Sequence, residues 1–193
     1  PSGDEVKADF WLACFAHVDP CPDIEPLIVL NVRTSLIENS RFVLVKEALR
    51  READRLLFVD SDMSFPPDTL QRLLAHDRAI VGATYVRRRE PHDVLGVGEE
   101  DVPPGARGLW PMARMPLGLM LIDTAVFARL PRPWFLARYE PETDEIVSED
   151  YTFCDAARAA GYHIWCDLNL SHEVGHVGLQ VFTWSSESKT RGV

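Results

Sequence analysis

Two carboxylates two residues apart, Asp60 and Asp62, follow directly on an apolar run of β-formers, Leu56-Leu57-Phe58-Val59. Charges at the end of a core strand need a partner, because removing them from water is costly unless they are paired. A hard divalent cation carrying phosphate oxygens is such a partner. The plainer alternative is a turn, where Asp and Ser are common because they bond nearby backbone groups. Two more groups of similar chemistry lie far along the chain. Glu149 and Asp150 open an amphipathic stretch, and His172 and His176 stand near its end. The acids alone can be explained by a helix dipole, and a lone histidine is commonly structural. Together they suggest more. A carboxylate and an imidazole can hold Mn2+ or Mg2+ while a substrate diphosphate fills the remaining positions. A further carboxylate, free of metal, can then serve as general base.

The elements that must position these groups alternate in type. Phe10 to Ala16 is an apolar run with strand character, broken by His17-Val18-Asp19-Pro20, and Leu27 to Val32 is a second run. Ile37 to Arg55 carries apolar residues at helical spacing, and the Leu56–Val59 strand follows at once. Pro66-Pro67-Asp68 opens a helix through Ala75, and Ala79 to Val86 reads as another buried strand. Strand–helix–strand alternation with unalternated apolar strands predicts a mostly parallel, Rossmann-like α/β sheet flanked by helices, in a single domain over 1–193. Residues 87–116, rich in Gly and Pro after Arg87-Arg88-Arg89, read as a long flexible loop that closes over substrate. Leu117 to Ile122 returns to strand character, and Asp123 caps a short helix stopped by Pro131. Pro133-Trp134-Phe135 and Tyr139-Glu140-Pro141 read as an exposed connection. A helix over Tyr151 to Ala160, ended by Gly161, and a strand from Tyr162 to Asp167 follow. In a doubly wound sheet the three site clusters converge on one rim.

Composition sets outer limits. With 193 residues, 46% hydrophobic and 26% charged, the sequence suits one well-cored globular domain. A net charge of -10 argues against broad attraction to nucleic acid or anionic membrane. No run approaches the ~20 apolar residues of a transmembrane helix. Cys14, Cys21, Cys154 and Cys166 form no CxxC pair and read as free thiols of a cytoplasmic protein.

The ordered set of motifs resembles a glycosyltransferase of the glycosyltransferase-A fold, close to the family 2 type, over roughly Arg41 to Phe182. Leu57-Phe58-Val59-Asp60-Ser61-Asp62 resembles the family's DxD motif. Ile80 to Tyr85 resembles the strand after the DxD helix, and Gly118 to Ile122 the acceptor-side strand. Ser148-Glu149-Asp150-Tyr151 resembles the ED motif, and His176-Val177-Gly178 the late His-x-Gly that supplies a metal ligand. The resemblance implies transfer of a sugar from a UDP- or GDP-sugar donor to a hydroxyl acceptor: a glycan, a small molecule or, with less support, nucleic acid. It implies Asp60 and Asp62 on cation and donor, with Ser61 and Arg41 beside the donor. Asp150, with Glu149, would be catalytic, giving inversion; His176 or His172 would complete the Mn2+ or Mg2+ site. Where family members carry a Pro-Thr-Tyr-like base-binding loop, this sequence has Ala16-His17-Val18-Asp19, which leaves the nucleotide base open. A nucleotidyltransferase and a catalytically silent nucleotide-sugar or carbohydrate-binding module are the rival expectations. The first would carry a Gly-rich phosphate loop, and Cys14 to Pro22 has none.

Overall fold

The computed structural model describes residues 36–88, 92–178 and 181–183. The expected strands at Phe10–Ala16 and Leu27–Val32, Cys14, Cys21 and the Ala16–Asp19 loop lie outside them.

Helix α1 (Ile37–Arg50) leads into strand β1 (Arg55–Val59), then a two-residue strand β2 (Met63–Ser64) and helix α2 (Thr69–Ala75). Strands β3 (Ile80–Gly82), β4 (Val97–Gly98), β5 (Leu109–Arg114) and β6 (Leu119–Asp123) follow. Helix α3 (Ala125–Arg129) and the hairpin β7 (Arg138–Glu140)–β8 (Glu145–Val147) lead to helix α4 (Glu149–Ala159). The chain continues through β9 (Ile164–Asp167), the single turn α5 (Leu168–Ser171), β10 (Gly175–Val177) and β11 (Val181–Thr183).

The α/β class is as expected, but among the described residues the sheet is mostly antiparallel rather than mostly parallel. Its six strands among the described residues run β1-β6-β3-β9-β5-β4, and of these pairings only β3–β9 is parallel. Strand β6 returns antiparallel between β1 and β3, with Leu121 opposite both Leu57 and Val81. The apolar strands signalled burial on both faces, and both faces are buried. Met120 and Ile122 of β6 join Phe58, Phe127, Phe153 and Ile164 in one core. Leu119 and Leu121 join Met63, Leu70, Leu73 and Tyr85 in the other. Two-sided burial is typical of parallel sheets, but helices on both sides of an antiparallel pair produce the same pattern.

Two further corrections concern the middle of the chain. The stretch 87–116 contains β4 and β5 rather than one open loop, and β5 pairs along β9 from Leu109–Asp167 to Met112–Ile164. Pro111 is tolerated inside β5 because its carbonyl remains useful, accepting from Glu99 N–H at 3.3 Å. Within the Pro133-Trp134-Phe135 connection Pro133 is exposed as expected, but the two aromatic residues are core, with Trp134 and Phe135 only 3% and 2% exposed. Trp134 Nε1 donates to Phe127 O at 3.0 Å, so its one polar edge is satisfied inside. Cys154 and Cys166 are buried free thiols, and burial pushes them up to about 12 and about 11. Among the described residues, no helix is long and apolar enough to cross a membrane.

Candidate active site

Strand β1 ends where its ladder does. Asp60 N–H makes a last bond to Gly118 O at 2.9 Å, and Met63 N–H then closes a turn onto Asp60 O at 3.1 Å. The turn and the chemistry are therefore compatible readings of Asp60-Ser61-Asp62, with Ser61 half-buried between the acids. Beyond the turn, β2 joins the small sheet β11-β10-β2, in which His176 lies opposite Met63. Val177 N–H donates to Asp62 O at 2.7 Å, clasping β10 to the turn. This register brings a histidine from near the end of the sequence to the acidic turn.

His176 Nδ1 lies 3.1 Å from Val86 O, an atom that can only accept, so Nδ1 carries the hydrogen. In the neutral ring Nε2 then holds a lone pair, and it faces Asp62 Oδ2 at 3.5 Å. Two acceptors turned toward one another call for a proton or a cation between them. A backbone carbonyl fixing the far nitrogen of a ligating histidine is the usual device for aiming its lone pair at a metal. Burial raises the Asp62 carboxyl; with a proton between it and Nε2, the hydrogen bond and charge of that protonated ring, helped by Arg88, outweigh burial and hold the group below its usual range. His172 is engaged elsewhere, with Nε2 3.3 Å from Ala106 O. Among the described residues no three His, Cys, Asp or Glu side chains converge as a metal cage. A cation on Asp62 and His176 would therefore take its remaining ligands from substrate and water, a donor set that suits Mn2+ or Mg2+.

Arg41, expected beside the donor, lies between the two acidic clusters. Its guanidinium is buried, with Nη1 donating to Glu149 Oε1 and Nη2 3.6 Å from Asp60 Oδ1. Burial pushes the Asp60 carboxyl up, and Arg41 pulls it back only in part. Glu149 behaves alike, raised by burial and by neighbouring Asp150, and lowered by Arg41. The signal for this pairing was present in the sequence. Arg41, Val45 and Ala48 form the buried stripe of α1, and Glu149, Phe153 and Ala157 that of α4. One charge of each sign on two core-facing stripes is a candidate buried ion pair. Arg41 thus ties the DxD turn to the start of α4.

Asp150 stands at that start with a different environment. Ser148 Oγ donates to its Oδ1, and Tyr151 N–H reaches the same oxygen at 2.8 Å. Among the described residues no hydrogen bond is made to Oδ2. Ser148 occupies the N-cap position yet makes no side-chain cap bond to the helix; its hydroxyl serves Asp150 instead. That role was not read from the sequence, because a Ser before a helix ordinarily reads as a cap.

Tyr85 belongs to the second core, with Met63 and Leu119. It is buried, and its ring packs edge-on against His176 at 4.9 Å. Burial, reinforced by the carboxylates of Asp60 and Asp150, keeps its phenol protonated well above the usual range. A Cβ at Gly118 would lie 2.1 Å from the Tyr85 hydroxyl and 2.7 Å from its Cζ. Gly118→Ala is therefore expected to push Tyr85 onto His176, costing about 1–3 kcal/mol and lowering Tm by roughly 2–4 °C per kcal/mol. Calorimetry checks this, and a second substitution Tyr85→Leu should recover part of the loss.

The fold has a solved counterpart. The chain is similar to the crystal structure of A197 from STIV, with a TM-score of 0.59 and 15% identity, over 83% of this chain and 82% of that one. At that identity the likeness concerns fold alone. No family model and no curated protein matches the sequence.

Proposed function

We propose that this chain is a cation-dependent glycosyltransferase, moving a sugar from a nucleoside diphosphate sugar to a hydroxyl acceptor with inversion. The observation that carries the reading is the facing pair Asp62 Oδ2 and His176 Nε2, set by Val86 O, together with Asp150, a carboxylate close enough to act on Asp60 whose Oδ2 accepts no hydrogen bond among the described residues.

Asp62 and His176 would hold Mn2+ or Mg2+, and His172, bonded to Ala106 O, would not. When bound, the cation supplies electrostatic stabilisation to the departing diphosphate. Asp60 and Ser61, on the same turn, meet the donor's ribose or sugar. Asp150 Oδ2 accepts the proton of the acceptor hydroxyl as its oxygen attacks the anomeric carbon. The bond from that carbon to the diphosphate oxygen breaks, and its electron pair leaves with the diphosphate. Ser148 Oγ and Tyr151 N–H hold Oδ1, so the proton has one destination. Glu149 and Arg41 position rather than react, because both are committed to each other inside the protein.

A thermal-shift screen of UDP- and GDP-sugars, each with Mn2+ and with EDTA, tests the reading. A stabilising donor whose effect vanishes in EDTA is the expected result. Stabilisation by a sugar nucleotide that is indifferent to EDTA would remove the cation from the mechanism.

A further inference from the structure

The oxygen that would bind the cation already carries a positive charge from the chain itself. Arg88 Nη1 lies 2.9 Å from Asp62 Oδ2, the same oxygen that faces His176 Nε2 at 3.5 Å. We propose that Arg88 and a divalent cation compete for Asp62 Oδ2, and that cation binding releases Arg88 to the phosphates of the donor. The inference rests on the cation site of the proposed glycosyltransferase.

Three features support it. First, a hard cation sits about 2.0–2.6 Å from a ligating oxygen, so a guanidinium on that oxygen would be pressed against two further positive charges. Second, Arg88 is free to leave. Its side chain is 48% exposed, and its second contact, from Nη1 to Val177 O, is long at 3.5 Å. Asp62, by contrast, is tied into the small sheet through Val177 N–H. Third, the backbone before Arg88 is anchored. Val86 holds His176, and Arg87 N–H donates to Asp93 O at 3.0 Å. Release is therefore a side-chain rotation that keeps the guanidinium beside the site. A diphosphate bridging to the cation is its natural new partner, because a guanidinium matches phosphate oxygens two at a time. Before a cation arrives, Arg88 neutralises Asp62 and spares it a bare charge next to Asp60.

The test uses Arg88→Gln, an exposed substitution whose folding is checked by its Tm. Mn2+ binding without nucleotide is followed by the electron paramagnetic resonance of free Mn2+. Nucleoside diphosphate binding is then measured by calorimetry at saturating Mn2+. The variant should bind Mn2+ about 2–5-fold more tightly, the value of a partly exposed ion pair. It should bind the diphosphate roughly tenfold or more weakly, for loss of a charge-assisted contact. Equal or weaker Mn2+ binding in the variant overturns the competition. Tighter Mn2+ binding with unchanged diphosphate affinity overturns the transfer to phosphate. Absence of Mn2+ binding in the unaltered protein, in Arg88→Gln and in His176→Ala alike would instead overturn the cation site itself.

Discussion

Asp62→Ala abolishes both cation-dependent binding of a nucleoside diphosphate and sugar transfer. The variant removes the oxygen that faces His176 Nε2 and also the anchor of Arg88, so the site loses its means of gathering positive charge. Removing one preorganised electrostatic contact from a reacting centre commonly costs 10²–10³-fold in rate. Here the loss should be at least about that large, because the stabilising charge itself would no longer be held. The fold should survive. Asp62 is partly exposed, and its backbone carbonyl, which bonds Val177 N–H, is untouched. Calorimetry with Mn2+ and diphosphate, next to a melting curve, separates loss of site from loss of fold. Donor affinity equal to that of the unaltered protein contradicts the role of Asp62 as cation ligand.

Asp150→Asn fails in a different way. The amide keeps the shape of the carboxylate but cannot take a proton from the acceptor. A positioned general base is typically worth 10²–10⁴-fold, so transfer should fall by roughly that factor while Mn2+ and donor affinity stay near their original values. Asp150 is held by Ser148 Oγ and Tyr151 N–H, not by Arg41, so the substitution leaves the Arg41–Glu149 pair intact. The contrast with Glu149→Gln is informative. That change leaves a buried guanidinium with one carboxylate partner fewer, and its first effect is on stability. A donor affinity that collapses in Asp150→Asn would place that residue on the donor instead of the acceptor.

The local elements were legible because they follow simple periods. The apolar run before Asp60, the helical spacing of α1 and the Gly161 terminus of α4 all reappear as observed. Strand direction was not legible. Leu119 to Ile122 looks the same whether its neighbours run with it or against it, because both faces of β6 are covered. Strand β5 was hidden by Gly and Pro around Trp110-Pro111-Met112, residues that ordinarily mark loops. At the site, the paired acids at a strand end and at a helix start were visible as chemistry. That His176 rather than His172 lies near Asp62 was not, since it depends on His176 standing opposite Met63 across β10 and β2. Nor was the engagement of Arg88 with Asp62, because the three consecutive arginines open a stretch whose Gly and Pro read as a flexible loop.

The most direct test follows the phosphorus nuclei of a donor sugar nucleotide by 31P NMR in the presence of Mg2+, an acceptor mixture and the protein. A glycosyltransferase cleaves between sugar and diphosphate, so nucleoside diphosphate should accumulate, stop on addition of EDTA, and be absent with Asp62→Ala. Release of pyrophosphate would mark nucleotidyl transfer. A bound donor that shifts but is never cleaved, with any acceptor, would mark a binding module; either result contradicts cation-dependent sugar transfer.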